Sequence, residues 1–271
     1  MTVPVLTYHA GLVEGPAYDQ NDHVALREDL RVIAAAGRRV VPLQWVVDAR
    51  LGRRDWSTLD GAVALSCDDG TAFDAVRGRH FGAHGPQPSL LGVLEDWIAE
   101  APAERGDAQL TSFVIASPDA RAIMDRACLF DAGDLGSEWW QPAIGGGRWA
   151  IGSHSWDHNH PALPPEPSIG LVRGDFFAVD DEAKAEFQIA RAQAFFAAEL
   201  GAPPTLFAYP FGQVPAFLRD DWLPRRGPAL GLDAAFDTTP APVDAASPRW
   251  QLPRYVCRWH WRSPDELAAL L

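Results

Sequence analysis

A chain of 271 residues, 47% apolar and carrying eleven Trp and thirteen Phe, can bury a full hydrophobic core and is not a disordered segment. Its formal net charge of −13 excludes the basic face of a nucleic-acid binder and repels anionic membranes. The plainer reading of that charge is solubility. Cys67, Cys128 and Cys257 are odd in number and widely spaced, so they do not spell a disulfide framework. The opening MTVPVLTYHA lacks the basic stretch and apolar run of a signal peptide. No window reaches the ~18 apolar residues of a membrane span. The chain is expected in the cytoplasm, or outside the cell if a leader has been removed.

Strand-like runs alternate with helical ones. VPVLTY (3–8) comes first, followed by a helical stretch over 24–36 in which Leu26, Leu30 and Ile33 recur at helical spacing. AVALSC (62–67) precedes a second helix over 89–99. LTSFVIA (110–116) leads into SPDARAIM, with Ser as N-cap and Pro at the first helical position. WAIGSH (149–154) is next, then a helix over 181–200 stopped by Gly201. TLFAYP (205–210), LDAAFDT (232–238) and LPRYVCRW (252–259) follow, and SPDELAALL closes the chain as a helix. Most strand runs are continuously apolar, as in strands of a parallel sheet buried on both faces. The alternation implies a parallel α/β architecture, open or closed into a barrel, in one domain over 1–271. Three long connections, at 70–87, 131–148 and 159–179, read as walls or lids of an active site.

Two segments carry chemistry. In LSCDDG, Asp68 and Asp69 follow a strand, and alternation sends their side chains in different directions. One can hold a metal while the other faces substrate or water; the competing reading is a plain Asp-Asp-Gly turn. In IGSHSWDHNH, His154 and His158 stand four apart, so a helix starting there would put both on one face. Two imidazoles and a carboxylate make an open zinc site. The alternative is a surface loop, and His160 before Pro161 reads as a loop histidine. A third segment, FAYPFGQ, offers a tight turn whose exposed N–H groups could hold an oxyanion. Trp139, Trp140, Trp156, Phe176 and Phe177 could stack on a sugar ring or simply pack under loops. His9 at the end of LTYH could line the same cleft, as support behind the site at most.

Taken in order, these segments resemble the polysaccharide deacetylase, or NodB-homology, family. The family's T-F-D-D-G motif is similar to SCDDG (66–70), its histidine motif to HSWDH (154–158), and its R-x-P-Y motif to AYPF (208–211). VPVLTYH and LPRYV look like a bacterial subset of members, and LTSFVIA and LDAAFDTTPAP look like further family segments. The likeness spans roughly residues 3–271. It implies a distorted (β/α) barrel of about seven parallel strands. It also implies hydrolysis of the amide of an N-acetylated sugar or oligosaccharide, with Asp68 as general base. Asp69, His154 and His158 would hold a divalent metal, usually zinc, with cobalt or nickel able to serve. The N–H of Phe211 would be the oxyanion donor, and His260, the only late histidine, the acid for the leaving amine. The competing reading of His260 is a half-buried side chain beside Trp259 and Trp261.

Three departures stand out. Cys67 replaces the Phe before the two Asp, and a buried apolar thiol there is inert rather than nucleophilic. Ala208 stands where the family has the arginine that orients the base, so Arg254 of LPR is expected to take over, unless it is a surface arginine. The long loops reshape the cleft and leave the substrate open. A small non-sugar amide is the second enzymatic reading. A non-catalytic carbohydrate-binding relative is the third, and the retention of both Asp68 and Asp69 speaks against it.

Overall fold

The computed structural model describes residues 1–79, 84–129 and 131–271. Its centre is a parallel sheet of eight strands: β1 (Val5–Tyr8), β2 (Arg39–Val41), β3 (Ala62–Cys67), β4 (Leu110–Val114), β5 (Trp149–Ser153), β6 (Leu206–Ala208), β7 (Ala234–Phe236) and β8 (Tyr255–Val256). The spatial order is β7-β6-β5-β4-β3-β1-β8, with β2 paired to β3 off this path. A parallel bridge between Phe236 and Leu252 joins β7 to the run entering β8. The seven-strand path therefore curls into a distorted barrel.

Each β-rich run of the sequence is a strand here, and all but 62–67 are shorter at their ends. β2 was not expected: its three residues, RVV, are too short to show a period. β3 illustrates why these runs are continuously apolar. Ala62 and Ala64 pack with Phe113, Phe236 and Leu252, while Val63, Leu65 and Cys67 pack against helices on the other face. Alternate residues thus enter different cores, and both cores exclude water. Small side chains on the first face leave room in the barrel for one large one, Arg254, which is fully buried.

The helices follow their caps. Ser89 accepts from the Gly92 N–H, Ser117 from Ala120 and Ser263 from Glu266. The stretch 182–200 is divided by a π-helical turn over Glu186–Ala190, and Gly201 ends it at φ 82°. The loop expected at 131–148 contains a short helix, Trp140–Gly145, whose Trp140 is buried in the main core with the preceding Trp139. Gly and Pro around it hide its pattern in the sequence. The loop at 70–87 begins with a helical turn, Ala72–Ala75; its residues 80–83 lie outside the described residues. Among the described residues, no helix is long and apolar enough to cross a membrane.

Candidate metal centre and active site

Strand register decides what meets what. Tyr8 pairs with Cys67, Cys67 with Ser112, Val114 with Ser153, and Ala208 with Phe236. The residues that follow these ends, His9, Asp68, His154 and Tyr209, are therefore delivered to one rim, the C-terminal rim that serves as the working face of such barrels.

Asp68 continues the line of β3, its N–H donating to Tyr8 O at 3.2 Å. Its carboxylate faces Arg254, whose Nη1 and Nη2 donate to its two oxygens at 2.7 and 2.8 Å. Arg254 is held in turn by Asp237 O, which accepts from Nε at 3.0 Å. Burial alone would raise the Asp68 carboxyl, but Arg254, His154 and His9 outweigh it and hold it well below the ordinary range. Asp68 is thus a buried carboxylate held ionised at the edge of the cavity.

Asp69 turns the other way, through a left-handed backbone at φ 75°. Gly70 follows at φ 71°, and a Cβ there would stand 2.6 Å from Val114 Cγ1, so only glycine fits. Asp69 Oδ1 lies 3.8 Å from His154 Nε2 and 3.6 Å from His158 Nε2. All three ligand atoms fall within 4.8 Å of one another. Those separations approach the ~3.4 Å edge of a tetrahedron with ~2.1 Å arms. His154 Nδ1 lies 2.8 Å from Ala208 O; donation there fixes the tautomer and frees Nε2 for a metal. Burial and the neighbouring His154 push His158 down to about 3, so it stays neutral, the ligating form. The donor set fits a divalent ion such as zinc.

The two histidines do not share a helix face, as expected from their spacing. Residues 154–158 form irregular turns, with Ser155 at φ 69°, His158 at φ 60° and Asn159 at φ 46°. These left-handed residues fold the segment so that His158 returns beside His154, their rings 4.8 Å apart. Neighbours hold the fold in place. Trp156 N–H donates to Gln188 O at 2.7 Å, a carbonyl within the π turn, where the helical ladder is loosened. Gln188 Nε2 and Arg173 Nη1 donate to Asp157 at 2.6 and 2.7 Å. Asn159 Nδ2 donates to Val172 O and Asp175 O, tying down the 159–179 loop.

Phe211 sits at φ 58° in the turn after β6, its ring 4.4 Å from that of His158. Gly212 is required next to it, since a Cβ would meet Thr238 Oγ1 at 2.1 Å. His260 does not join the site. Its Nδ1 accepts from the Val256 N–H at 2.8 Å, and its ring does not line the cavity over the Asp and His residues. Arg258 at φ 68° turns the chain so that Trp259 faces that cavity instead. His9 does line it, along with His154, His158 and His160, and stacks beside Trp259 with ring centres 6.4 Å apart. The sequence signal for His9 was its place one residue past β1, level with Asp68 across the sheet.

The aromatic cluster read from the sequence mostly packs. Trp139, Trp140 and Phe176 are buried, and Trp156 lies under Arg191, whose guanidinium carbon is 4.0 Å from its ring centre. Phe177 is exposed but is not among the residues lining the cavity. Trp259, 62% exposed, and the partly exposed Phe211 are the aromatic faces in the cavity lining. Cys67 is buried with its thiol pushed up by burial, as an inert side chain should be.

These features define a distorted (β/α) barrel with a buried, ion-paired carboxylate beside a candidate metal centre. Residues 105–221 match the sequence profile described as polysaccharide deacetylase. That stretch includes His154, His158 and the turn at Phe211; Asp68 and Asp69 meet it in space. Among solved structures, a Streptococcus pyogenes deacetylase, PplD, in complex with acetate is similar at 15% identity and TM-score 0.64, covering 100% of this chain and 98% of that one. IcaB from Ammonifex degensii follows at 17% identity and TM-score 0.61, covering 99% and 96%. A de-N-acetylase from Aggregatibacter actinomycetemcomitans gives 14% and 0.63, covering 100% of both chains. At such identities the likeness establishes the fold. No curated protein matches the chain in sequence. Residues 105–221 thus resemble the polysaccharide deacetylase family, and the chain as a whole shares the fold of these deacetylases.

Proposed function

We propose that residues 1–271 act as one catalytic domain that hydrolyses the amide of an N-acylated sugar or oligosaccharide, using zinc held by Asp69, His154 and His158. The observation that carries this reading is the buried Asp68–Arg254 pair beside the Asp69, His154 and His158 cluster. A binding module has no use for a desolvated base placed next to a metal site. When bound, the ion supplies Lewis-acid polarisation of the amide carbonyl and makes a water more acidic.

The protein's own residues do the rest. Asp68 Oδ accepts a proton from the attacking water, and Arg254 keeps that carboxylate ionised and oriented. The Phe211 N–H, in the left-handed turn that lines the cavity, would serve the oxygen on which charge develops. His9, not His260, is the residue assigned to protonate the leaving amine, since it lines the cavity with Asp68 and Asp69 and His260 does not. A small non-sugar amide is the second reading, favoured by the apolar side chains Leu12, Met124, Leu129 and Leu135 in the lining.

The test is acetate release from a panel of N-acetyl sugars and simple acetamides. Chelated protein would be reloaded with zinc, cobalt or nickel. Release that vanishes on chelation and returns with one of these ions is expected. Failure of every ion and substrate pair to release acetate or any other acid would sink the hydrolase reading.

A further inference from the structure

The cavity over the site has a volume of about 390 Å³, many times the ~30 Å³ share of one water. An acetyl group fills little of it. The lining is also divided by chemistry. Asp68, Asp69, Thr71, His154 and His158 make a polar end. Met124, Leu129 and Leu135 make an apolar wall, all three buried and packed with Ile115, Ala120 and Leu163. The two ends join at Cys128. Its Sγ lies 3.9 Å from His160 Nε2, and the His160 ring is 6.0 Å from that of His158.

The wall is built and anchored. Asp125 accepts from the N–H groups of Gly133 and Asp134 at 2.9 and 2.8 Å. Arg121 Nη1 donates to Leu135 O at 2.7 Å. Ala72 N–H donates to Asp134 O at 2.6 Å, which ties the wall to the loop just after Asp69 and Gly70. Thr71, in that same loop, lines the cavity, and its Oγ1 is buried without a hydrogen-bond partner among the described residues. A buried hydroxyl left unpaired beside the metal site suits the polar group of a bound substrate.

Strand order fixes which half of the substrate meets the wall. In the sequence β8-β1-β3-β4-β5, Asp68 and Asp69 sit in the middle after β3. His9 and Trp259 lie on the β1 and β8 side; the wall follows β4 on the other. An amide lying across Asp69 with its nitrogen toward His9 therefore points its acyl carbon toward Cys128 and the wall. We infer that the acyl group removed is an apolar chain longer than acetyl, seated along Met124, Leu129 and Leu135. This rests on the hydrolase reading above. The step is ordinary hydrolysis: the water oxygen bonds to the acyl carbon, the C–N bond breaks, the amine takes the proton, and a carboxylate is left.

The experiment compares N-acetyl-, N-butanoyl- and N-hexanoyl-glucosamine on the zinc-loaded protein. kcat/KM should rise about four-fold per added methylene, the worth of burying each one. Hexanoate should also raise the melting temperature more than acetate at equal concentration, a readout independent of turnover. Cys128→Trp, at an exposed helix end, should fill the joint and shift the chain-length optimum back toward acetyl. Flat or falling kcat/KM along the acyl series, in protein that does release acetate, overturns this inference and leaves the hydrolase reading standing. Chain-length dependence on the amine side instead overturns it too. No release from any member, with no hexanoate stabilisation, overturns both.

Discussion

Asp68 and Asp29 are both buried carboxylates, and they end in opposite states. Asp68 faces the inside of the barrel and meets a guanidinium at 2.7 and 2.8 Å; its carboxyl is held well below the ordinary range. Asp29, on the helix Asp22–Ala35, meets only neutral donors: Tyr8 at 2.8 Å, Trp261 at 3.1 Å, and Tyr18. Burial raises it to about 7, although all three hydrogen bonds pull the other way. Desolvation acts on both. A full opposite charge reverses it and three dipoles do not. The comparison shows why a buried carboxylate that is to stay ionised, as the proposed base must, needs Arg254 and not merely a hydrogen-bonded niche.

Four measurements break or sharpen that contrast. The largest effect is expected from Asp68→Asn, which keeps the metal ligands and cannot accept a proton. Hydrolysis should fall ~10²–10⁴-fold with metal content unchanged. Near-normal turnover would remove Asp68 from the mechanism. Next comes Arg254→Met, which leaves a buried carboxylate facing a thioether. Stability should drop by roughly 3–5 kcal/mol in urea titrations, and the acidic limb of the pH–rate profile should move upward as Asp68 comes to resemble Asp29. An unmoved limb would mean that something else orients the base.

His9→Gln should cost about 10²-fold, toward the lower end for proton transfer. The loss should be greater on an alkyl amide than on an anilide whose leaving group needs no proton. Equal losses would return the acid role to another group, and His260→Gln serves as the control outside the cavity.

The smallest effect on turnover is expected from Asp29→Asn, whose readout is stability against pH. The native protein holds a proton on Asp29 that the unfolded chain releases near the ordinary value of 3.8. That contribution is fully present below about pH 4 and is lost as pH rises through about 7. In the Asn variant this decline between pH 4 and 7 should flatten. If both proteins lose stability alike across that window, Asp29 is ionised throughout and the contrast with Asp68 fails.

Much of the site could be read along the chain because its pieces are local. Asp68 and Asp69 end an unmistakable strand, and His154 and His158 end another, so a parallel sheet alone brings them to one rim. Arg254 was legible for the same reason, at the head of the last strand. The choice between His9 and His260 was not, because it turns on one left-handed residue, Arg258, whose φ of 68° no composition announces. Nor was the route by which His158 reaches His154: spacing alone pointed to a helix, while three left-handed residues make the turn. β2 was too short to show a period, and the helix at Trp140–Gly145 was masked by its Pro and Gly. Tertiary burial of Trp140 holds that helix, and burial is not written in local propensity.

The left-handed backbones of Asp69 and His158 have a consequence for anyone breeding this protein for heat resistance. A side chain in that conformation costs ~1–2 kcal/mol relative to glycine, somewhat less for Asp. Selection on survival at high temperature, with activity unmonitored, should therefore enrich Asp69→Gly and His158→Gly. Each would harden the scaffold while erasing a ligand. A thermostable descendant that keeps both residues would have to gain its resistance elsewhere, in loops and helix ends far from the rim.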